Sequence, residues 1–477
     1  MTKNFGWTFF AAAAIALLQV AVLALSARVL SELELGLIAL CGTVLALANL
    51  LIDAGFSPYI IYKGALSRSA LNSLLLASLL VAIVAFLATR FVAANMEQFF
   101  SAAGLADLVL LYAFIFLTTP FTTQFQTLFV QARRLKALAI IDVGAKVLGS
   151  VATIVCLFMA QGANSIVYGL LCTALLKAAA LYSMLPKAQK INTVSVKWTE
   201  INDAWRYCSP QLGSQFLNYL RAYIDNIIIG LLFSMETLGV YSLARELVAR
   251  VAALLNPIAQ KLLLPVLAEK NRQKQDVDTA FSSALLLVAF FSGTCYLLIG
   301  LNGELITNLL FGPEYAAVIK VLSLLTLFYL FRIAGSINGM HVQATGRTDR
   351  DLYWNCIATA VFPPLLYLSA MQGLEAMLIS MTLIQAGFTV LSYYVFHYPN
   401  MPLPPKRYFL QFFSITVLIS AFVAGNAFLI QGGIVSDLAI SIIAVSSVSL
   451  LVFTLMGGKQ GIAKYYRIYD TSNEQAA

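Results

Sequence analysis

An all-α fold that crosses a membrane about fourteen times is predicted by three features of this 477-residue chain. Its residues are 60% hydrophobic and only 11% charged, too few charges to cover the surface of a soluble protein of this length. The apolar residues come in long runs, not in amphipathic stripes, and about 20 consecutive apolar residues span the roughly 30 Å hydrocarbon core as a helix. Such helices satisfy their own backbone polar groups, which an open sheet in lipid does not. The third feature is that Lys and Arg concentrate in alternate loops.

The predicted spans run about 7–30, 35–61, 70–92, 105–130, 137–160, 165–186, 207–233, 239–265, 279–301, 316–344, 353–371, 376–396, 408–430 and 437–456. The first follows MTKNFG and reads as a start-transfer segment that is retained, because its apolar run is long for a signal peptide and no convincing small-x-small cleavage site follows. The second, eighth and tenth are long enough to tilt or kink. Pro120 lies inside the fourth, Pro257 inside the eighth and Pro363-Pro364 inside the eleventh, positions where a missing N–H bends a helix.

Orientation follows from the basic residues. Placing the N-terminus in the cytoplasm puts most of the 30 Lys and Arg residues in cytoplasmic segments, among them Lys63, Arg68, Arg133, Arg134, Lys136, Lys187, Lys190, Lys197, Arg206, Arg347, Arg350, Lys406 and Arg407. The opposite loops QGAN (161–164), QGLE (372–375) and QGGIVSD (431–437) carry none. Both termini are then cytoplasmic. The net charge of +8 is mostly a topology signal, and its spread over many short loops argues against a nucleic-acid partner.

The segment VLSELELGLIAL (29–40) resembles LFSMETLGVYSL (232–243). An offset of 203 aligns Ser31 with Ser234, Leu35 with Leu238, Gly36 with Gly239, Leu40 with Leu243 and Asp53 with Asn256. A weaker echo, QARRLKALAI (131–140) with QATGRTDRDL (343–352), follows the fourth span of each six-span unit. The expected organisation is a six-helix lobe over 1–186, a cytoplasmic linker over 187–206, a second six-helix lobe over 207–396, two additional spans over 397–456 and a cytoplasmic tail over 457–477. Both copies begin on the same side, so the repeat is parallel, with its axis along the membrane normal. Transporters are often built this way, with the substrate site between the halves.

The outer loops are too short to hold an acceptor for a polymerase or ligase, and no cytoplasmic segment is long enough for a nucleotide-binding domain. GxxxxGK[ST], HExxH and GxSxG motifs are absent. The chain is therefore expected not to be an enzyme. The six cysteines form no CxxC pair and read as small packing residues. With two histidines in the whole chain, no metal site and no cofactor are expected.

Chemistry is expected from the charges inside the spans. These are Arg28, Lys146, Lys177, Arg221, Arg245, Arg250 and Arg332 against Asp53, Asp142, Asp225 and Glu246. Each costs about 2.5–3.5 kcal/mol at mid-bilayer, so most must face one another or water within the bundle. Asp142 with Lys146, Arg221 with Asp225 and Glu246 with Arg250 stand i, i+4 on one helix face, and Arg28 has the same spacing to Glu32. Lys177, Arg245 and Arg332 have no acid three or four residues away. A cavity with a positive surplus attracts anions, and the planar fork of Arg suits phosphate. Arg28, Arg221, Arg245, Arg250, Arg332 and Lys177 are the candidate substrate-binding residues. Asp225, Asp53 and Glu246 are the candidate ion-coupling residues.

The run SARVLSELELGLIALCGTVLALANLLIDAGFSPYIIYKG (26–64) resembles the amino-terminal signature of the oligosaccharide flippases. These are the O-antigen and exopolysaccharide exporters of the multidrug/oligosaccharidyl-lipid/polysaccharide superfamily. The matching elements are Ala27-Arg28, Leu30, Gly36 and Asp53-Ala54-Gly55-Phe56. The resemblance implies two six-helix lobes around a central cavity lined by spans one, two, seven and eight. It implies transport of undecaprenyl-diphosphate-linked oligosaccharides from the cytoplasmic to the outer face of a bacterial inner membrane, by alternating access, for O-antigen, capsule or other exopolysaccharide. Membrane lipids, a polysaccharide polymerase and assembly proteins are the implied partners, with H+ or Na+ as coupling ion. Arg28 carries over by motif; Arg221, Arg245 and Arg250 follow from position alone. An ion-coupled drug or metabolite antiporter of the same superfamily would favour carboxylates in its cavity, and a non-transporting scaffold would need no buried charge.

Overall fold

The computed structural model describes residues 2–63, 66–132, 134–186, 197–272, 278–344, 348–397 and 403–411. Twelve long and two short α-helices, a 3-10 turn at Pro313–Tyr315 and a helical stretch over 405–411 account for most of them, with no strand among the described residues. In order they are α1 (Thr2–Val29), α2 (Glu32–Asp53), α3 (Phe56–Lys63), α4 (Arg68–Phe99), α5 (Leu105–Gln131), α6 (Leu135–Phe158) and α7 (Asn164–Met184). There follow α8 (Trp198–Leu232), α9 (Met235–Arg272), α10 (Asp278–Leu301), α11 (Gly303–Leu310), α12 (Ala316–Ala344), α13 (Thr348–Ala370) and α14 (Leu374–His397). A helix stands at each of the first twelve predicted spans. The predicted spans 408–430 and 437–456 lie almost wholly outside the described residues.

Eight of the spans are apolar enough to cross a membrane by length and composition alone, or nine if the pair 288–301 and 303–310, bent by 73°, counts as one. Among the described residues, α8, α9 and α13 do not pass this test. Helix α8 carries Asn218, Arg221, Asp225 and Asn226 within its apolar run, and so cannot face lipid all round. It also begins nine residues before the predicted span, inside the stretch read as linker. The polar start KWTEINDAWR ends the apolar run without ending the helix, and exposed Trp198 and Trp205 lie on it.

Span two is broken, not merely tilted. Helix α2 ends at Asp53, Ala54 and Gly55 take left-handed φ values of 48° and 78°, and α3 restarts at Phe56. A β-carbon on Gly55 would lie 3.3 Å from the Cys208 β-carbon. The Cys208 thiol donates to the Gly55 carbonyl at 3.1 Å, so the break is seated against α8. Helices α5 and α13, by contrast, continue unbroken through Pro120 and Pro363-Pro364.

The chain divides into two compact units, Met1–Leu243 and Ala244–Ala477. In the first, α4 packs on α5, α5 on α7, α6 on α7 and α1, and α2 on α4, α5 and α8. In the second, α10 packs on α12, α12 on α14 and α13 on α14. The third, fourth, fifth and sixth spans of each predicted repeat are therefore paired alike.

Two local devices support this packing. Thr153 and Thr173 donate their hydroxyls to the carbonyls of Gly149 and Gly169 on their own helices. A β-carbon on either glycine would fall 1.8 Å from the opposing threonine hydroxyl and 2.6 Å from the opposing glycine carbonyl. The α6–α7 crossing is thus a small-residue contact of the kind that holds helices together where water provides no driving force. The second device is a repeated arginine. Arg134 donates to the carbonyl of Met184 at the end of α7 (3.0 Å), and Arg350 to those of Val395 and Phe396 at the end of α14 (3.3 Å). Each neutralises the negative end of the sixth helix of its copy, although the 212-residue offset of the weaker echo sets Arg134 opposite Gly346 and not opposite Arg350.

Candidate functional site

Helix α8 brings the central charges to one stretch. Arg221 is only partly buried, and its guanidinium donates to Asn218 Oδ1 at 2.9 Å. One turn on, Asp225 is enclosed at 3% exposure. Its carboxylate accepts the Tyr241 hydroxyl from α9 and the backbone N–H of Asn226 at 3.0 Å. Asn226 donates its amide to Thr43 Oγ1 on α2 at 3.0 Å, and the Tyr219 hydroxyl donates to the Thr43 carbonyl at 2.6 Å. Thr43, Tyr219, Asn226 and Tyr241 escape a search for charges, because each reads as an ordinary membrane-helix residue until its neighbour across the bundle is known. Hydrogen bonds lower the cost of holding an acid away from water.

The remaining candidates separate. Arg28 is exposed in the last turn of α1, where a cation complements the helix dipole. Asp53 accepts the Ser57 hydroxyl at 2.5 Å across the α2–α3 break. Lys177 has a partner that spacing along one helix does not show. Sequence spacing pairs Asp142 with Lys146 and leaves Lys177 without an acid, but Lys177 Nζ lies 2.8 Å from Asp142 Oδ1 and donates to Gln126 at 2.7 Å. The i, i+4 rule sees one helix; this cluster joins α5, α6 and α7. Lys177 is therefore a cross-helix tie of the first unit, already engaged by a carboxylate.

In the second unit, Glu246 and Arg250 form the ion pair that their spacing predicts, and Arg245 is partly buried one residue before Glu246. Arg332 on α12 lies over the rings of Phe328 and Tyr329, 5.8 and 5.7 Å from their centroids. Such stacking holds a guanidinium against an apolar wall while leaving its edge for an anion. Asn256, the repeat counterpart of Asp53, accepts the Ser336 hydroxyl at 3.2 Å. The chain's two histidines also come together here. The His341 and His397 rings are 4.6 Å apart, and Asn338 Oδ1 contacts His397 Nε2 and accepts the Tyr408 hydroxyl.

The chain's similarity to known proteins agrees with this anatomy. A family described as polysaccharide biosynthesis protein matches residues 25–320. The amylovoran biosynthesis protein AmsL of Erwinia amylovora is 29% identical over 306 residues, which cover 64% of this chain and 79% of that protein. The lipopolysaccharide biosynthesis protein WzxC of Escherichia coli K12 is 22% identical over 425 residues, covering 88% and 86%. Among solved structures, the lipid II flippase MurJ in an inward closed conformation superimposes with a TM-score of 0.74 at 12% identity, over 97% of this chain and 100% of that one. The chain therefore belongs to the polysaccharide biosynthesis protein family and is a multi-pass membrane protein with the fold of MurJ.

Proposed function

We propose that the protein flips undecaprenyl-diphosphate-linked oligosaccharide repeat units from the cytoplasmic to the outer face of a bacterial inner membrane, by alternating access, in the synthesis of a surface polysaccharide. Family membership supports the pathway class. The observation that carries the chemistry is the contrast on α8, where Arg221 is partly exposed while Asp225 one turn away is enclosed. A diphosphate needs accessible guanidinium groups. A cationic drug would need accessible carboxylates, but Asp142 is paired with Lys177, Glu246 with Arg250, and Asp53 is bonded by Ser57. Arg221 is the central phosphate ligand in this reading, with Arg245, Arg250, Arg332 and Arg28 contributing to the positive potential along the path. Asp225 is the coupling acid, taking up H+ or Na+ as the substrate draws Arg221 away; Asp53 and Glu246 are secondary.

Complementation tests the reading. Expression in a strain lacking its own oligosaccharide flippase, matched to the sugar unit of the source, is expected to restore surface glycan. Unchanged accumulation of lipid-linked units on the cytoplasmic side, with the protein present in the membrane, would refute it. The inside placement of both termini and of 187–206 is checked separately. Phosphatase and fluorescent-protein fusions in the 161–164 and 187–206 loops should give opposite signals, and matching signals would overturn the orientation.

A further inference from the structure

The offset of 203 that relates the two sequence copies also relates a contact between them. Ser31 caps α2 by accepting the Glu34 N–H at 3.3 Å, and Ser234 caps α9 by accepting the Thr237 N–H at 3.2 Å. One turn further, the two helices meet backbone to backbone. A β-carbon on Gly36 would lie 1.9 Å from the Met235 carbonyl oxygen and 3.2 Å from the Gly239 nitrogen. A β-carbon on Gly239 would lie 2.0 Å from the Glu32 carbonyl oxygen and 3.1 Å from the Gly36 nitrogen. Adding 203 to Glu32 and Gly36 gives Met235 and Gly239, so the second set of neighbours is the first with its members exchanged. A local two-fold axis therefore passes between the glycines. Such a contact is self-complementary, as in a symmetric dimer.

We propose that Gly36 and Gly239 form the outer seal of the transport path, a backbone-on-backbone closure on the axis about which the two repeats move. The proposal rests on the transport reading above and adds to it the residues that close the outer end. Glycine is required on both sides, because any side chain would hold the helices apart. The contact lies one turn inside the two helix starts, on the side where the basic-free loops place the outer face. It is latched from within. Thr43 is seven residues along α2 from Gly36, on the same helix face and about 10 Å deeper, and it receives Asn226 and Tyr219 from α8. Opening the outer end separates α2 from α8 and α9, which breaks both bonds to Thr43. The bond from Tyr241 to Asp225 joins α8 and α9 and is kept.

Two measurements on the full-length protein in membranes test this. In the first, Glu32→Cys and Glu236→Cys are joined across the seal by an oxidant or a short bis-maleimide. Complete crosslinking is expected to stop export, with recovery when a disulfide is reduced; undiminished export by fully crosslinked protein would overturn the proposal. In the second, Gly36→Ala with Gly239→Ala is added to the cysteine pair. Crosslinking is expected to fall several-fold at an unchanged membrane level, since the closed state is excluded. Gly149→Ala, which crowds an equally tight glycine in α6–α7, serves as the comparison and should leave the crosslinking of whatever protein is inserted unchanged. Equal crosslinking in the alanine pair and its parent would overturn the seal. If the alanine pair fails to accumulate, the first measurement still decides. Failure of the parent protein to restore export would count against the transport reading, while the crosslinking yields report on the seal independently.

Discussion

Replacing Arg221 by alanine is expected to abolish glycan export while the protein remains in the membrane at its normal level. The side chain is partly exposed and donates to Asn218 on its own helix, whereas α8 is bonded to α2 through Asn226 and Tyr219, so its loss leaves those two bonds in place. Arg221→Lys should keep a fraction of the activity, because an ammonium retains the charge but loses the fork that grips two phosphate oxygens. The double change Arg221→Leu with Asp225→Leu separates ligand from scaffold. Apolar replacement of charged groups inside a protein is often neutral or stabilising, so a purely structural role predicts normal insertion and normal export. The phosphate-ligand role predicts normal insertion and no export. Tyr241 loses its carboxylate partner in this variant, so quantifying inserted protein is part of the measurement. Export at the parent rate would end the assignment of Arg221.

The second large effect is on stability. Gly149→Leu is expected to reduce the protein in the membrane to a small fraction of the parent, and Gly169→Leu to do the same. Each adds a branched side chain where even one β-carbon would sit 1.8 Å from a threonine oxygen and 2.6 Å from a backbone oxygen. The threonine hydroxyl is itself bonded to a carbonyl of its own helix, and the backbone cannot give way without separating α6 from α7. Overpacking of this kind typically costs about 1–3 kcal/mol and sometimes more. Gly144→Leu, on the same helix with nothing within 4 Å of its β-carbon position, is the control and should accumulate normally. Equal yields of Gly149→Leu and Gly144→Leu protein, measured by immunoblot of purified membranes, would show that the close crossing is not needed.

How far the sequence could be read depended on whether a feature is one-dimensional. A run of apolar residues long enough to span is visible in the chain itself, and a helix stands at each of the first twelve predicted spans. The break at Ala54-Gly55 is not visible that way, because a left-handed φ leaves no mark on hydropathy; only the Asp-Ala-Gly-Phe signature pointed to the place. Charges were legible as a set but not as partners. Glu246 and Arg250 pair along one helix as spacing suggests, whereas Asp142 turns to Lys177 across two helices, where spacing says nothing. Thr43, Tyr219, Asn226 and Tyr241 carry the polar network around Asp225 and give no signal in the sequence, since uncharged polar residues are common in membrane helices. The repeat was legible at Gly36 and Gly239, but its reason was not, because a glycine in sequence does not name the backbone that approaches it.

Glu34 bears on what kind of movement this chain permits. One carboxylate oxygen accepts the Ser31 N–H at 2.9 Å, closing the capping box of α2, and the other accepts the Ala163 N–H at 3.0 Å, in the turn that joins α6 to α7. Gly162 in that turn has φ 57°, and a β-carbon there would fall 2.4 Å from the same oxygen. The start of one helix and the tip of the neighbouring hairpin are thus pinned to a single side chain. A piston stroke of α2 along its own axis, or its rotation past α6 and α7, would strip the Ala163 N–H from the carboxylate, at about 1.5–3 kcal/mol for a bond to a charged group, while the Ser31 bond travels with α2. A swing that carries the hairpin along with α2 breaks neither. The carboxylate acts as a rivet, and it makes the outer ends of α2, α6 and α7 travel as a single plate.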